Sequence, residues 1–192
     1  DADTVQCGGY VVNLMNAIEA AGIANVFSGG NFGPSNTTVS APQRINTSEV
    51  NTFSVGSING NVSFPHPISS FSSIGPKQCP GTGSLSIHPE VVAPGQNVRS
   101  AWGIDSYNTI SGTSMASPHV SGAILLLKEA FPYLSGEDLL WALYLTAIDL
   151  GVAGEDNIYG MGLIDVHAAF LYLSSTNTPV DPTSIKWDLA IV

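Results

Sequence analysis

The N-terminal part of the chain combines a helical pattern of apolar residues with a short apolar segment and a glycine-rich turn. Apolar residues recur at the i, i+3, i+4, i+7 spacing of one helix face, at Val11, Leu14, Met15 and Ile18. This spacing predicts a helix over residues 10–21 that ends at Gly22. Residues 23–27 then predict a short buried strand, which leads into the turn at residues 28–33. A helix followed by such a strand is half of a parallel-sheet unit, and ligands bind beyond the carboxyl ends of its strands, here at residues 28–31.

Three further segments predict strands. Residues 52–58 alternate in polarity, residues 70–73 form a shorter candidate, and residues 90–93 end at a Pro-Gly turn. Residues 59–83 are rich in Gly, Pro, Ser and Asn, so most of this segment is predicted to be loop. Strands are therefore expected on both sides of a largely irregular segment.

The second half of the chain is predicted to be helical. Residues 114–130 carry apolar side chains almost all round, which predicts a buried helix. Pro118 fits a helix only in its first turn, so this helix is expected to begin near Ser114. With the preceding strands, the helices predict an α/β fold.

Two further helices are predicted from their N-terminal residues. Ser135 and Asp138 form an S-x-x-D capping box ahead of a helix over residues 139–147. Asp165 is predicted to cap the last helix. Residues 175–192, which contain two prolines in a polar context, are predicted to be a linker or the start of a following segment.

Composition narrows the class of protein. Hydrophobic residues make up 44% of the 192 residues, which indicates one globular domain. The chain has 5 Lys and Arg residues and 15 Asp and Glu residues, so its formal net charge is -10. Binding to nucleic acids, or to membranes through a polybasic patch, needs clustered Lys and Arg side chains. Both functions are therefore excluded for this chain. No apolar run reaches the length of a membrane-spanning helix, so no membrane span is predicted.

The two cysteines leave two interpretations open. Many Ser, Thr, Asn and Gly residues and few charges favour a secreted or extracytoplasmic protein. No signal peptide is visible at Asp1, so either it has been removed or Asp1 is not the natural start. In an oxidising compartment Cys7 and Cys79 are able to form one disulfide. Two unpaired buried thiols are an equally good interpretation, and the sequence does not decide between them.

The segment richest in candidate chemistry is residues 111–122, which read SGTSMASPHVSG. Ser114 is predicted at the N-terminus of a long helix, where its N–H is unpaired and the helix dipole favours negative charge. An oxyanion formed when a serine attacks an acyl carbon needs such donors. The alternative is that Ser114 only caps the helix, as Ser does at many helix N-termini.

Residues 112–122 resemble, almost letter for letter, the nucleophile motif of the subtilisin-like serine proteases, or subtilases. Four other segments agree with the family in the same order: FSGGN at 27–31, FSSIGP at 71–76, VAPG at 92–95 and YGMGLID at 159–165. The resemblance covers about Tyr10 to Leu173. It implies that residues 1–174 are the C-terminal half of a subtilisin-like α/β domain, with a parallel sheet in a three-layer arrangement.

The resemblance also implies an activity, that of a serine endopeptidase acting on peptides or proteins. Ser114 then corresponds to the nucleophile, and the side-chain amide of Asn31 to an oxyanion donor. An amide suits this role because it donates without carrying a charge. Taken alone, Asn31 is better explained as a turn residue after two glycines. Ser28, Gly29 and Gly30 correspond to the wall of the substrate pocket, which the missing Cβ atoms of the glycines leave open.

The chain departs from the family in lacking the motifs of the catalytic Asp and His. His66 and His88 lie beside prolines, outside any His-Gly helix motif. Five helical steps rotate His119 about 140° from Ser114, so it is interpreted as a packing residue. The base and the acid are therefore expected outside this chain, on an N-terminal half of the domain that acts as its partner. Many subtilases bind calcium, but no acidic cluster matches a ligand loop, so no metal ligand or other cofactor is predicted.

Two other functions remain as alternatives. The first is a subtilase-like domain that has lost catalysis and serves as a binding or scaffolding module. The second is an α/β-hydrolase esterase in which Ser114 lies in a degenerate nucleophile elbow. Its acid is then Asp149 or Asp156 and its base His167, but the segment before Ser114 is short for the strand that an elbow needs.

Overall fold

The computed structural model describes residues 7–181, and a three-stranded parallel sheet lies at its centre. The strands are β1 (Val26–Ser28), β2 (Phe53–Ile58) and β3 (Val91–Pro94), in the order β1-β2-β3. Because both neighbours of β2 run parallel to it, the carboxyl ends of all three strands lie at one edge. Residues 28–31 leave the sheet at that edge, as predicted.

Four helices accompany the sheet: α1 (Tyr10–Ala20), α2 (Thr113–Ala130), α3 (Gly136–Leu145) and α4 (Val166–Ser174). α2 crosses one face and contacts all three strands, while α3 and α4 pack against α2 and against each other. The core of this side is formed by Phe53, Val55, Val91, Ala93, Ala116, Val120, Ala123 and Leu127. The arrangement confirms the predicted α/β class. Within residues 7–181, no helix combines the length and the apolar composition needed to cross a bilayer.

The opposite face of the sheet is also buried. Ile58 and Val92 are fully buried there and pack with Leu150. All six residues of β2 are inaccessible to solvent or nearly so, as is usual for a parallel strand covered on both faces. The sheet is therefore a rigid platform for the loops at its carboxyl edge.

The predicted segments agree with the structure for α1 within one residue, and for β2 and β3 within one residue at each end. The first strand begins later than predicted, at Val26 rather than at residue 23. Residues 23–25 instead connect the end of α1 to the sheet, and only the Asn25 C=O already pairs, accepting from the Phe53 N–H at 3.2 Å.

The prediction of a strand at residues 70–73 is wrong. The Ser72 N–H donates to the Ser69 C=O at 2.8 Å, which closes a turn. The Ser72 hydroxyl accepts from the N–H of Ser57 at 3.0 Å. Serine side chains satisfy the local backbone groups here, so no strand ladder is needed.

A second, antiparallel sheet was not predicted. β4 (Val98–Trp102) and β5 (Ser106–Ile110) form a hairpin between β3 and α2. Both strands are exposed over most of their length, so they lack the apolar alternation that identifies a half-buried strand. The turn between them includes Gly103 at φ 65°, a conformation that favours glycine.

The helix that carries the nucleophile motif begins at Thr113, which confirms the predicted start near Ser114. Pro118 is its sixth residue, so the expectation that it lies in the first turn is wrong. Because proline has no N–H, the Ser114 C=O lacks the donor that would face it in an α-helix. The helix is also not buried all round, since Leu125 is 70% exposed and Leu126 61%.

Both predicted helix caps are confirmed. The Ser135 hydroxyl accepts from the Asp138 N–H at 3.2 Å, and the Asp138 carboxylate accepts from the Ser135 N–H at 2.8 Å. This capping box starts α3 at Gly136, earlier than the predicted residue 139. The Asp165 carboxylate accepts from the Ala168 N–H at 2.9 Å and caps α4.

The segment predicted as a linker is described only in part, because residues 182–192 lie outside the described residues. The Val180 N–H donates to the Ala130 C=O at 2.8 Å. The Tyr133 hydroxyl donates to the Thr178 C=O at 2.6 Å. The described part of this segment therefore returns to the C-terminal end of α2.

Cys7 and Cys79 form a disulfide, which decides between the two interpretations of the cysteines. The bond joins residues 72 positions apart and connects the segment before α1 to the loop before β3.

We expect the double variant Cys7→Ser/Cys79→Ser to lose about 2–4 kcal/mol of unfolding free energy, because the denatured chain gains conformational freedom. Thermal unfolding with and without a reductant measures this. Reduction should lower the melting temperature of the parent protein and leave that of the double variant unchanged; an insensitive parent would contradict the prediction.

Candidate active site

Ser114 is the second residue of α2 and is exposed to solvent. The N-cap position belongs to Gly112, so Ser114 is not the capping residue of the helix. The Met115 N–H donates to the Gly112 C=O at 2.9 Å. The Ser114 N–H and hydroxyl form no hydrogen bond within the described part of the chain. A free backbone donor and a free hydroxyl therefore sit together at the positive end of the helix dipole.

Asn31 is held against the start of α2 by its side-chain oxygen. Its Oδ1 accepts from the Thr113 N–H at 2.9 Å and from the Thr113 hydroxyl at 3.0 Å. A backbone N–H needs an acceptor, so the atom facing it is the amide oxygen and the NH2 group points elsewhere. The Asn31 Nδ2 has no acceptor among residues 7–181. The NH2 group is therefore available to a ligand beside Ser114.

Thr113 is a residue of the candidate site that the sequence analysis missed. It precedes Ser114 in the chain and joins the helix to the Asn31 turn, which is 82 positions away. The Gly30 N–H also donates to the Thr113 hydroxyl at 3.1 Å, and Thr113 is fully buried. The available sequence signal for Thr113 was its position in the motif, directly before Ser114. A threonine that is buried beside an exposed serine needs a polar partner for its hydroxyl.

A cleft of about 310 Å³ lies beside Ser114. β4 and the first two turns of α2 line it, through Val98, Arg99, Ser100, Ser114, Met115, Pro118 and His119. The guanidinium of Arg99 lies 4.4 Å from the centre of the Tyr107 ring, and this contact holds it on the wall. Ser114 therefore faces a space large enough for another side chain.

The predicted pocket residues have most of their backbone groups engaged inside the protein. The Gly29 N–H donates to the Val55 C=O at 2.9 Å, and the Ser28 C=O accepts from Gln43. A Cβ at Gly29 would lie 3.1 Å from the Val55 oxygen, and one at Gly30 would lie 2.7 Å from a serine hydroxyl. Gly29 allows a close approach of the turn to the sheet, and Gly30 allows a close approach to the loop that contains that serine. Their contact with substrate stays a prediction.

The histidines of the described residues do not contact the Ser114 hydroxyl. His119 lines the cleft, but its Nδ1 lies 2.9 Å from the Met115 C=O. The Nδ1 of His66 lies 2.6 Å from the Val62 C=O. His167 is exposed on α4. Within residues 7–181, Ser114 therefore has no hydrogen-bonded base.

A buried Ser-His-Glu cluster has the composition of a triad but not its geometry. The His88 Nδ1 lies 3.0 Å from a Glu90 oxygen and 3.3 Å from the Ser54 hydroxyl. The Ser54 hydroxyl also donates to the other Glu90 oxygen at 2.5 Å. A triad places the serine and the acid on different ring nitrogens, whereas both lie at Nδ1 here. The three side chains are nearly inaccessible to solvent, so they join β2 to β3 rather than meet a substrate.

Two buried groups near this cluster have shifted pKa values. Burial lowers the pKa of the Lys77 ammonium, and the negative charge of Glu90 partly opposes the shift. Burial raises the pKa of the Tyr144 phenol, and its hydrogen bond to Glu155 adds to the rise. Neither residue lines the Ser114 cleft. Among residues 7–181, no group of three or more His, Cys, Asp or Glu side chains is arranged to hold a metal ion.

Known proteins that are similar to this chain include a subtilisin and an extracellular serine protease. Subtilisin DY of Bacillus licheniformis is 36% identical over 152 residues, which are 78% of this chain and 47% of that protein. An extracellular serine protease of Serratia marcescens is 46% identical over 63 residues, 33% of this chain and 6% of that protein. The solved structure of Sphericase superposes with a TM-score of 0.68 at 28% identity, over 80% of this chain and 51% of that chain.

These similarities agree on one fold and one family. The chain spans about half the length of Subtilisin DY and of Sphericase, and the shared structure confirms the predicted subtilisin-like fold. The profile of the subtilase family matches residues 3–162, which are most of the chain. The chain is a member of the subtilase family.

Proposed function

We propose that this chain supplies the nucleophile and the oxyanion donors of a serine endopeptidase. The observation that carries the proposal is the link through Thr113, which brings the Asn31 amide to the start of the helix that presents Ser114. The Ser114 hydroxyl attacks the scissile carbonyl, and the resulting oxyanion accepts from the Ser114 N–H and the Asn31 NH2. The base takes the proton of the attacking hydroxyl and gives it to the leaving amine, so that the C–N bond breaks and the acyl enzyme forms. Water, which loses a proton to the same base, then hydrolyses the acyl enzyme to the free acid, and Ser114 regains its proton.

The base and the orienting acid of this mechanism belong to residues outside the chain. A serine hydroxyl needs a base to become a good nucleophile, and none is bonded to Ser114 within the described residues. A histidine that enters the 310 Å³ cleft beside Ser114 would be within reach of its hydroxyl. The N-terminal half of a subtilase domain, bearing His and Asp, is the proposed partner, and peptides or proteins are the substrates.

The exposed apolar surface beside β1 supports this partner. In the described part of the chain β1 pairs only with β2, so its other edge is open. A cavity of about 490 Å³ lies next to this edge, between β1 and α2, with Val26 and Leu125 in its lining. Open parallel edges and exposed leucines are unfavourable in water, and further strands and helices of the domain would cover them.

The two alternatives lack comparable support. An elbow needs its serine directly after a strand of the central sheet, whereas β5 belongs to the separate hairpin. The carboxylates of Asp149 and Asp156 accept from backbone N–H groups of their own loop. In a scaffolding module the free donors of Asn31 and Ser114 would serve no function.

Secretion is proposed from the disulfide and from relatives named extracellular serine proteases.

A fluorophosphonate, which labels activated serines, tests the proposal. Residues 1–192 alone should label slowly, and Ser114 should label rapidly once the N-terminal half of the domain is restored, since the base is then present. Peptide mapping identifies the labelled residue, and Ser114→Ala in the restored protein is the control. Rapid labelling of the isolated chain would favour the esterase. A restored domain that stays unlabelled would favour the scaffold.

A further inference from the structure

The turn that carries Asn31 is held on both sides of that residue by a single buried serine. The Ser73 N–H donates to the Gly30 C=O at 2.9 Å. The Ser73 hydroxyl accepts from the Phe32 N–H at 3.1 Å. Ser73 is fully buried, so these bonds are shielded from water. The two peptides that flank Asn31 are thereby fixed to one residue of another loop.

Side-chain packing contributes little to holding this turn. Asn31 is exposed, and Phe32 is 68% exposed. Thr113 binds the amide oxygen of the Asn31 side chain and accepts from the Gly30 N–H, but it has no hydrogen bond to the peptide that follows Asn31. The position of the main chain in this turn therefore depends on hydrogen bonds. The Phe32 N–H is part of the peptide that follows Asn31, so the bond to this N–H helps to set the direction of the Asn31 side chain.

The contact between the two loops is close. Gly30 has a φ of 107°, and a Cβ at this position would lie 2.7 Å from the Ser73 hydroxyl oxygen. A second bond reinforces the contact, because the Gly33 N–H donates to the Phe71 C=O at 2.9 Å. Little room is left for the turn to shift toward Ser73.

The loop of Ser73 is in turn fixed to the sheet. The Ser57 N–H at the end of β2 donates to the Ser72 hydroxyl at 3.0 Å. The hydroxyls of Ser57 and Ser69 lie 2.8 Å apart, and the Ser69 N–H donates to the Ser57 C=O at 2.8 Å. These serines are all buried. A chain of buried hydrogen bonds thus runs from β2 through Ser73 to the Asn31 turn.

We propose that Ser73 is a positioning residue for the oxyanion donor: its hydroxyl and N–H hold the Asn31 turn so that the amide NH2 faces the position of the developing oxyanion. The inference rests on the proposed role of Asn31. A donor preorganised for the oxyanion stabilises the transition state more than the bound substrate. Loss of the hydroxyl should therefore lower kcat and leave KM nearly unchanged.

The test is a double-mutant cycle in the complete protease with a peptide substrate. Ser73→Ala should lower kcat about 10-fold, the equivalent of one hydrogen bond, with KM changed less than about twofold. In the Asn31→Ala background, Ser73→Ala should cause no further loss, because the donor that it positions is absent. Ser73→Cys supplies a larger and weaker acceptor at the same position, so its kcat should lie between those of the parent and Ser73→Ala.

Ser54→Ala is the matched control. Ser54 is an equally buried serine, but its hydroxyl bonds to Glu90 and contacts neither loop. It should lower thermal stability and leave kcat unchanged. The inference is overturned if Ser73→Ala and Ser73→Cys keep the parent kcat, if the losses add in the cycle, or if Ser54→Ala lowers kcat equally. An Asn31→Ala variant with unchanged kcat would instead overturn the proposed role of Asn31, and the positioning role with it.

Discussion

Replacing Ser114 by Ala is expected to abolish peptide cleavage by the complete protease while its melting temperature stays nearly unchanged. Ser114 is the proposed nucleophile, so the acyl enzyme cannot form without its hydroxyl. Its side chain is exposed and forms no hydrogen bond within residues 7–181, and the N-cap is Gly112. The stability change should therefore stay within about 0.5 kcal/mol, as for other surface substitutions. Peptidase assays and thermal unfolding measure the two effects separately.

Ser117→Ala is the matched control, because Ser117 lies in the same helix and does not line the cleft. It should keep the activity of the parent. Substantial cleavage by Ser114→Ala at an unchanged melting temperature would show that another residue attacks the substrate. Lost cleavage together with a large fall in melting temperature would show a structural role for Ser114.

Loss of the Asn31 amide is expected to lower kcat far more than it raises KM. Removal of such a donor in this family costs about a hundred-fold or more in rate, because the oxyanion exists only in the transition state. Asn31→Ala also leaves the Thr113 N–H and hydroxyl without their acceptor. Asn31→Asp avoids this defect, because it keeps an oxygen for Thr113 and replaces the donor by a negative charge.

Steady-state kinetics on both variants separates the two effects. Both should have a strongly lowered kcat, and Asn31→Asp should keep more of the parent stability. Asn36→Ala is the control, since Asn36 is an exposed asparagine of the same loop and forms no hydrogen bond within residues 7–181. A change confined to KM would assign Asn31 to substrate binding, and unchanged kinetics would leave it as a turn residue.

Patterns that are local in the chain predicted much of the fold. The capping box of Ser135 and Asp138 and the cap at Asp165 depend on residues three positions apart, so the sequence contains all their partners. β2 was recognised by its alternating polarity, and β3 by the Pro-Gly turn that ends it. The helix of residues 113–130 was recognised by its length and apolar content.

The errors occur where polar groups are satisfied by distant partners. Residues 70–73 were predicted as a strand, but the Ser72 N–H donates to the Ser69 C=O and closes a turn, while the Ser72 hydroxyl accepts from the distant Ser57 N–H. The β4–β5 hairpin was missed because its strands are exposed and have no buried face to impose an alternation. Pro118 was expected in the first turn because sequence alone does not show that a helix tolerates one missing hydrogen bond later.

The sequence by itself determined the family, the helix that presents Ser114 and the identity of Asn31 as its candidate donor, because a long run of specified residues carries that information locally. It left the state of Cys7 and Cys79 open, and it did not reveal what holds Asn31. The tertiary structure decided both. The disulfide, the bonds of Thr113 to Asn31 and the bonds of Ser73 around it join residues 40 or more positions apart. Such contacts depend on how the chain folds in space. The spacing of residues along the sequence does not show which distant residues come together.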